Sequence, residues 1–474
     1  MARAKKETAL TPEERLQAAL VPDWEWPYKL PGNWCWTYLT KAAECLDNFR
    51  KPINATERAG RNGNVPYYGA TGQVGWIDDF LTDEELVLLG EDGAPFLDLI
   101  KDKAYLITGK AWVNNHAHIL RSLFGDTGNR YLLHYLNSFN YAGYVNGTTR
   151  LKLTQASMDT IPIPLPPLAE QQRIVGRIES LFAKLDEAKE KAQAVVDSFE
   201  TRKAAILHKA FTGELTANWR EEHGVRMESW EHHQFSDLCA IVRGGSPRPA
   251  GDPRYYDGNI PFMKVADITR NDSPYVSKVE YSIKEEGLKK TRMVEANTLL
   301  LTNSGATLGV PAITTIRTTF NDGIAAFIGL DIDSLLFYYY FWTSKTAFLR
   351  SINMGAAQPN LNTKLIGEVE IDVPKTAERV EIARVLNALL SKERQAKEAA
   401  EAVLDQIDLM KKSILARAFR GELGTNDPSE ESAVELLRQV IEQEDGDVVR
   451  PKAKAKRIAI PAEIKPLLSG ANEE

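Results

Sequence analysis

Residues 203–215 read KAAILHKAFTGEL, and residues 411–423 read KKSILARAFRGEL. Both stretches contain the pattern Ile-Leu-x-x-Ala-Phe-x-Gly-Glu-Leu, and they lie in the chain at a shift of 208 positions without a gap. Self-similarity at a fixed distance is typical of a duplicated architecture. The match therefore predicts that this chain of 474 residues consists of two related halves.

The same shift extends the similarity upstream, where it superposes Pro166 on Pro374, Glu170 on Glu378 and Ile174 on Ile382. Further upstream the similarity is weaker. Residues 63–67 (GNVPY) resemble residues 258–262 (GNIPF) at a shift of 195. Each half should therefore contain a divergent globular segment followed by a closely similar one. This arrangement is expected if the similar segments share one role and the divergent segments bind different ligands.

Apolar residues recur at spacings of three and four in both similar segments, which predicts a long helix with a heptad seam in each. Prolines before each segment and Gly213 and Gly421 after them suit helix ends. Because a long helix with an apolar stripe needs a partner in water, we expect the two helices to pack antiparallel about a pseudo-twofold axis. The predicted seam residues are Ile174, Ile178, Leu181, Leu185, Val195, Phe199 and Ile206, and then Ile382, Leu386, Leu389, Val403, Ile407, Met410 and Ile414.

Each seam has one charged break, Arg202 in the first helix and Glu393 in the second. In an antiparallel pair staggered by one heptad, these side chains would face and neutralise each other. Without the stagger they would miss each other, and each would extend to solvent instead. The sequence leaves both geometries open.

The segments outside the helices are expected to be mixed α/β. The first contains short apolar runs such as 104–108 and a predicted helix at 130–138, while the second contains strand-like runs at 298–301 and 325–330 and a helical, aromatic-rich run at 335–349. We therefore predict an α/β (mixed α+β) fold, with two globular domains alternating with two long antiparallel coiled-coil helices in an internal pseudo-twofold repeat. The expected boundaries are an N-terminal arm at 1–23, the first globular domain at 24–165, the first helix at 166–212, the second globular domain with its linker at 213–373, the second helix at 374–420 and a polar C-terminal tail at 421–474. The tail contains a basic stretch at 450–457 and is expected to be mobile.

Composition restricts the class of protein. No run approaches the roughly 20 apolar residues that a membrane span needs, and the N-terminal residues lack the apolar core of a signal peptide. We therefore expect a cytoplasmic protein with no membrane contact. Cys35, Cys45 and Cys239 show no CxxC spacing, so neither a disulfide framework nor a cysteine zinc site is predicted. The net charge of -7 means that any DNA-binding surface must be local or completed by partners.

Several longer phrases point to a known family. They are IPIPLPPLAEQQRIV at 161–175, VPYYGATG at 65–72, VNNHAH at 113–118, and GGSP at 244–247 followed by NIPF at 259–262. Together with the duplication, these phrases resemble the specificity subunit of Type I restriction-modification enzymes over nearly the whole chain. The second helix departs from this pattern, since residues 371–379 read IDVPKTAER and lack the double glutamine.

The resemblance implies that the globular segments are target recognition domains, each contacting one half of a split site on double-stranded DNA, with the helices as spacer. It also implies two modification subunits, which use S-adenosylmethionine to methylate adenine, and two restriction subunits, which use ATP and Mg for translocation and cleavage. The chain itself would bind no cofactor and would be non-catalytic. An interaction scaffold without direct DNA contact is the competing interpretation, and the acidic balance favours it.

The residues themselves give little support to a self-contained enzyme. No Asn/Asp-Pro-Pro-aromatic loop for gripping a target base appears, and no P-loop is present. His116 and His118 could both ligate a metal, but no further His or Cys nearby completes a set, so no metal is expected. For His118, closure of a polar loop or core is the favoured alternative. The aromatic run 338–342 could stack on bases, but its helical spacing favours core packing.

Base contacts require Arg or Lys for guanine and Asn or Gln for adenine, with further cations for phosphates. Residues of these types in predicted loops are the DNA-binding candidates, although any one of them is more often an ordinary solvated surface residue. Asn114, Asn115 and His116 could also contact the scaffold. The candidates are Arg61, Gln73, Lys110, Asn114, Asn115, His116, Arg150 and Lys152 in the first domain and Arg243, Arg248, Arg254, Lys264, Asn303, Gln358, Asn360 and Asn362 in the second.

Overall fold

The computed structural model describes residues 11–305, 307–351 and 361–448. Its contacts divide the chain into two compact units, whose boundaries fall inside both long helices. The first unit comprises the residues up to 190 together with those from 404 onward, and the second unit comprises residues 191–403. The expected mixed α/β class is confirmed.

The helices are α1 (Pro12–Ala19), α2 (Leu39–Ala42), α3 (Ala55–Ala59), α4 (Gly125–Ser138), α5 (Gln155–Asp159), α6 (Leu168–Asp197), α7 (Phe199–Phe211), α8 (Ala217–Glu222), α9 (Phe235–Leu238), α10 (Val265–Thr269), α11 (Glu285–Leu288), α12 (Leu335–Ser351), α13 (Thr363–Gly367), α14 (Thr376–Phe419) and α15 (Ala433–Val448). Single 3-10 turns lie at Asp23–Glu25, Asp47–Phe49, Glu214–Thr216, Met227–Ser229 and Ile332–Ser334.

The strands are β1 (Cys35–Tyr38), β2 (Ala43–Cys45), β3 (Val65–Gly69), β4 (Gly72–Ile77), β5 (Thr82–Asp83), β6 (Leu86–Gly90), β7 (Ala104–Ile107), β8 (Lys110–Val113), β9 (Ala117–Ser122), β10 (Pro162–Leu165), β11 (Glu231–Gln234), β12 (Ala240–Arg243), β13 (Tyr256–Met263), β14 (Tyr275–Val276), β15 (Tyr281–Ile283), β16 (Arg292–Val294), β17 (Thr298–Thr302), β18 (Pro311–Thr314), β19 (Thr318–Phe320), β20 (Ile324–Ile328) and β21 (Glu370–Val373).

The first unit contains a four-stranded sheet in the order β2-β9-β6-β7, a second in the order β4-β3-β8-β5, and the antiparallel pair β1-β10. The central strand β6 is buried throughout because both faces of its sheet are covered. Val87 and Leu89 pack into one core, and Leu86 and Leu88 pack into another. The alternation of side chains along one strand thus joins two hydrophobic cores.

The second unit repeats this scheme with different residues and with one additional strand, β14, at the edge of one sheet. Its five-stranded sheet has the order β12-β20-β17-β18-β14, its four-stranded sheet has the order β15-β13-β19-β16, and β11 pairs with β21. Strand β17 is again buried on both faces, with Leu299 and Leu301 in one core and Leu300 in another. Helix α12 covers this sheet, and Tyr338, Phe341 and Trp342 are buried in it. Core packing, rather than stacking on bases, is therefore the role of the aromatic run.

Within each unit the long helices run antiparallel. In the first unit, Lys411 contacts Asp186 at 2.6 Å and Lys189 contacts Asp408 at 3.6 Å, so one residue number rises as the other falls. In the second unit, Arg202 Nε lies 2.7 Å from Glu393 Oε2. The paired geometry of the two charged breaks is thereby confirmed.

The first helix is interrupted at one residue, Ser198, where the sequence predicted a continuous rod. The Ser198 hydroxyl donates a hydrogen bond to the Ala194 carbonyl, a contact that commonly bends helices. Backbone bonds still run from Ser198 N to Ala194 O at 3.1 Å and from Arg202 N to Ser198 O at 3.0 Å. The interruption is therefore local.

The predicted seam is wrong at two positions of α14. Val403 is 42% exposed and Met410 is 47% exposed, whereas Leu415 and Ala418 are buried. An α-helix has 3.6 residues per turn, so its buried face does not keep to a strict seven-residue repeat. Toward the end of α14 the buried positions therefore lie about one residue away from the predicted heptad positions. Ile174, Ile178, Ile382, Leu386 and Ile407 are buried, while Leu181, Leu185, Val195, Phe199, Ile206, Leu389 and Ile414 are half-buried.

The described part of the C-terminal tail is folded, which corrects the expectation of a mobile tail. Helix α15 packs on α1, with Leu437 and Ile441 in a core that includes Leu16. Arg438 Nη1 also lies 2.9 Å from Glu13 Oε2. The tail is polar on average, but its apolar residues lie on one face of a helix. The basic stretch 450–457 lies outside the described residues.

Over the same described ranges, no helix has both the length and the apolar character that crossing a bilayer requires.

Candidate nucleic-acid interface

Three candidates of the first unit contact two acidic residues, and Arg150 and Lys152 form ion pairs with them. Asp92 Oδ1 lies 2.7 Å from His116 Nδ1 and 2.9 Å from Arg150 Nη2, and Glu91 Oε1 lies 3.1 Å from Lys152 Nζ. The Arg150 and Lys152 side chains remain more than half exposed. They can still reach a phosphate, but part of their charge is neutralised within the chain.

A buried polar network lies beneath this cluster. His118 is 1% exposed, and its ring nitrogens lie 2.7 Å from Asp47 Oδ2 and 2.9 Å from the Leu153 carbonyl. Burial raises the pKa of Asp47, but hydrogen bonds from His118 and the Ile119 amide, together with the charge of Arg50, hold that pKa below its ordinary value. His118 therefore closes a polar core, which was the favoured alternative for this residue.

Cys45, Asp47 and His118 bring three possible metal-ligand atoms within 4.8 Å of one another. The Arg50 guanidinium lies 2.9 Å from Asp47, and both His118 nitrogens already have partners. Burial also raises the pKa of the Cys45 thiol to about 12, whereas a metal needs the thiolate. This chemistry favours a structural network over a metal site.

Arg61, Gln73 and Lys110 belong to the sheet β4-β3-β8-β5 and its flanking loops. Arg61 Nη2 lies 2.6 Å from Asp78 Oδ1, and its guanidinium lies 4.7 Å from the ring centre of Trp112. The Lys110 ammonium lies 4.7 Å from the ring centre of Phe80, and Gln73 is exposed. Neighbouring Trp76, on β4, is 56% exposed. It was not predicted as a candidate, because the candidates were chosen from loops and Trp76 lies in a strand.

Asn114 and Asn115 have different environments. Asn115 is exposed, whereas Asn114 is only 8% exposed and its side-chain oxygen accepts a hydrogen bond from the His116 amide at 2.8 Å. The Asn114 backbone amide also donates to the Tyr68 carbonyl at 3.1 Å. Asn114 therefore shapes the loop, and the expectation of a DNA contact is not supported for it.

In the second unit, Arg248 and Lys264 line one recess of about 310 Å³. The Lys264 ammonium lies 3.1 Å from the ring centre of Tyr281, and the Arg248 side chain is 71% exposed. Arg243 is exposed nearby, and its Nε donates to the Asp322 carbonyl at 2.7 Å. Two candidates therefore line one recess, and a third lies beside it.

The remaining candidates of the second unit do not join this recess. Arg254 pairs with Asp252 at 2.6 Å, and hydrogen bonds from Arg254 lower the pKa of Asp252 to about 2. Asn303 is fully buried, so the expectation of a DNA contact is not supported for it. Asn362 caps α13 by accepting from the Leu365 amide at 2.8 Å. Gln358 and Asn360 lie outside the described residues.

The structure also gives the duplicated glutamates a role that the sequence did not predict. Glu170 is buried and accepts hydrogen bonds from Thr425 Oγ1 and the Asn426 amide, both at 3.1 Å. A side chain at Gly424 would collide with it, since a Cβ there would lie 1.5 Å from Glu170 Oε1. Each glutamate thus ties the start of a long helix to the segment that follows the other long helix.

Glu378 repeats this arrangement in the second unit. Its Oε1 accepts from Thr216 Oγ1 at 2.8 Å and from Arg220 Nη1 at 2.6 Å, and its Oε2 accepts from Trp230 Nε1 at 3.0 Å. The repeated Ala-Glu pair in the sequence could have indicated this role. A favourable charge at a helix start does not require the same residue in both halves, whereas a specific buried contact does.

The duplicated helices also line equivalent grooves, one within each unit. Glu200, Lys203, Ala204 and Leu207 line a cavity of about 870 Å³ against α12. The residues 208 positions further on, Asp408, Lys411, Lys412 and Leu415, line a cavity of about 480 Å³ against α4. The two units therefore present related helix surfaces beside different globular surfaces.

Comparison with known proteins assigns the family. A profile described as "Type I restriction modification DNA specificity domain" matches residues 46–196 and 227–402. A Haemophilus influenzae protein that carries the name of a type I restriction enzyme specificity subunit is 26% identical over 362 residues, which are 74% of this chain and 86% of that protein.

Two solved structures share the fold. The crystal structure of the HsdS subunit from Thermoanaerobacter tengcongensis has a TM-score of 0.56 at 19% identity and covers 84% of this chain and 99% of that one. A chain from a study of complex assembly and conformational transition of the type I R-M system has a TM-score of 0.59 at 18% identity, covering 84% and 100%. The chain thus belongs to the Type I restriction-modification DNA specificity family.

Proposed function

We propose that this chain is the DNA-reading subunit of a Type I restriction-modification enzyme, in which each globular domain contacts one half of a bipartite target. The observation that carries the proposal is the double family match, at 46–196 and 227–402, on two halves with the same strand scheme. Their exposed polar residues differ, as two dissimilar half-sites require.

The long helices set the distance between the half-sites in this proposal. Helix α14 has 44 residues, which at about 1.5 Å per residue gives a length of roughly 66 Å. A pair of such helices packed along their seams resists bending better than either helix alone. Affinity then depends on both half-sites lying at one separation.

Two modification subunits dock on the two grooves in this proposal, one subunit to each unit. The equivalent positions in the grooves support this, because lining residues at a shift of 208 give two copies of one partner similar surfaces. The modification subunits supply S-adenosylmethionine-dependent adenine methylation. Two restriction subunits supply ATP- and Mg-dependent translocation and cleavage, in the cytoplasm. The present chain then contributes binding rather than a reaction.

A protein scaffold without direct DNA contact remains the second candidate. The net charge of -7 and the ion pairs of Arg61, Arg150, Lys152 and Arg254 with acidic residues favour it. The two candidates differ in salt dependence, because release of counterions from phosphates weakens DNA binding steeply as salt rises. Sequence-selective, salt-dependent retardation of duplex DNA by the reconstituted complex would support the DNA-reading subunit, and its absence would support the scaffold.

A domain exchange tests the assignment of the half-sites. Residues 24–165 are replaced by the equivalent segment of a relative, and methylated adenines are mapped genome-wide in cells that express the modification subunits. We expect one half of the methylated sequence to change while the other half and the spacing remain. A change in both halves would contradict independent contacts by the two domains.

A further inference from the structure

The recess in the second unit collects residues from four places in the chain. Arg248 comes from the loop after β12, Lys264 follows β13, and Tyr281 begins β15. Asn321 and Asp322 follow β19 directly. A cationic rim, an aromatic ring and an amide are the groups that contact phosphates and base edges in protein-DNA complexes.

Asn321 has the same backbone position as Asn114 of the first unit. Strand β13 runs parallel to β19 with Met263 opposite Phe320, and β3 runs parallel to β8 with Tyr68 opposite Val113. The Asn321 amide donates to the Met263 carbonyl at 3.0 Å, just as the Asn114 amide donates to the Tyr68 carbonyl. The two asparagines are therefore structural counterparts.

Their side chains differ in one respect that bears on function. The Asn114 side-chain oxygen is satisfied by the His116 amide, whereas the Asn321 side-chain oxygen is buried without a hydrogen-bond partner among the described residues. Asn321 lines the recess, and a buried acceptor without a partner gains if a ligand in that recess supplies a donor. Asparagine pairs with adenine through its oxygen and its amide nitrogen together.

The rim of the recess is ordered around Asp322. Ser246 Oγ donates to Asp322 Oδ1 at 2.5 Å, and Arg243 Nε donates to the Asp322 carbonyl at 2.7 Å. Arg248 is held only loosely, because its Nη2 lies 3.7 Å from Asp322 Oδ2. Its guanidinium is therefore free to exchange this ion pair for a base or a phosphate.

The lysine at the recess distinguishes the two units. At the shift of 195 that aligns these strands, Lys264 corresponds to Gly69. A side chain at Gly69 would approach the side-chain nitrogen Nδ2 of Asn114, with a Cβ at 3.4 Å. At this position the first unit thus has a glycine beside its internally bonded asparagine, whereas the second unit has a lysine in the same recess as an unpaired one.

We propose that this recess is the place where the second unit contacts its half-site, with Asn321 and Arg248 reading base edges and Lys264 holding a phosphate. The proposal rests on the DNA-reading function proposed above and assigns that function to particular side chains. Because the counterpart asparagine is internally bonded, the first unit must read its half-site with other residues.

The test uses the full chain assembled with its modification subunits, with methylated adenines mapped on a random DNA library. We expect Asn321→Ala and Arg248→Ala each to relax the preference at one position of a single half-site by about 5- to 150-fold, since a good bidentate contact discriminates by roughly 1–3 kcal/mol. Lys264→Ala should weaken methylation at all sites alike. Arg317→Ala is the matched control, because this arginine is 65% exposed and pairs with Glu295 away from the recess.

The outcomes separate this inference from the function on which it rests. An unchanged methylated sequence in both Asn321→Ala and Arg248→Ala, at the level of the unaltered complex, would overturn the recess while leaving DNA reading intact. If the unaltered complex itself methylated DNA without sequence selectivity, the proposed function would instead be overturned. If a variant retains its sequence preference at the other half-site, the variant has folded. Arg248→Ala is the safer of the two variants in this respect, because it changes only an exposed side chain.

Discussion

At the scale of single residues, burial changes what a histidine contributes to stability. His134 lies on α4, its ring packs edge-on against Phe182 at 5.7 Å between centres, and its Nε2 is buried without a hydrogen-bond partner among the described residues. Burial lowers the pKa of His134 to about 4, with Glu179 raising it and Arg130 lowering it. The ring is therefore neutral in the folded protein at neutral pH.

This gives a pH dependence with a definite sign. As pH falls below about 6.5, the unfolded chain binds a proton at His134 that the folded chain does not, so stability falls as pH falls. Between pH 7 and pH 5 we expect a loss of about 2 kcal/mol from this residue. In urea unfolding of the full chain at both pH values, His134→Phe should remove this part of the loss, and the exposed His208→Gln should not. An equal pH dependence in His134→Phe and the unaltered protein would contradict the assignment.

At the scale of elements, a buried glutamate fixes the start of each long helix. Glu378 is 1% exposed, and its Arg220 partner has a side chain that is only 10% exposed. Removing one member of a buried pair leaves an uncompensated charge, which is far more costly than the loss of a surface pair. The start of α14 therefore depends on one carboxylate.

We expect Glu378→Ala to lower the free energy of unfolding by about 3 kcal/mol or more. Glu381→Ala is the matched control on the same helix, because Glu381 pairs at 2.7 Å with an Arg384 side chain that is 68% exposed. The control should cost well under about 1 kcal/mol. Equal, small losses in the urea unfolding of both variants would show that Glu378 is an ordinary helix-end charge.

At the scale of the whole molecule, one strand scheme occurs twice beside the paired long helices, and the two units differ in the side chains at corresponding positions. The groove positions on the helices correspond at a shift of 208, whereas the asparagines at the corresponding strand ends differ in whether they are internally bonded. Shared partner docking and separate DNA contacts are compatible with this division of labour.

A change in helix length tests the spacer role. Adding one heptad to both long helices keeps the seam in register and lengthens each helix by about 10 Å. At roughly 3.4 Å per base pair, the preferred gap between half-sites should grow by about 3 base pairs. Mapping methylated sites in cells that carry this variant measures the gap. An unchanged gap with retained methylation would contradict a spacer role.

The sequence by itself determined the duplication, the two long helices and the mixed α/β class, because these depend on patterns that repeat along the chain. The positions of Arg202 and Glu393 in the heptad pattern were also sufficient to suggest that the two side chains could form an ion pair. Helix positions followed from local signals, with errors at Val403 and Met410 where the geometric period of the helix departs from the heptad.

Only the tertiary structure decided which polar residues are buried, paired or open, because that depends on strands brought together from distant places. Asn114 and Asn303 were DNA-binding candidates like other asparagines in predicted loops, and the structure shows that both are buried. Asn321 was not among the candidates from the sequence. The parallel pairing of β13 with β19 places it in a recess with Arg248 and Lys264. The linear sequence pattern does not predict such contacts, because burial and hydrogen bonding depend on which side chains surround a residue in the folded protein.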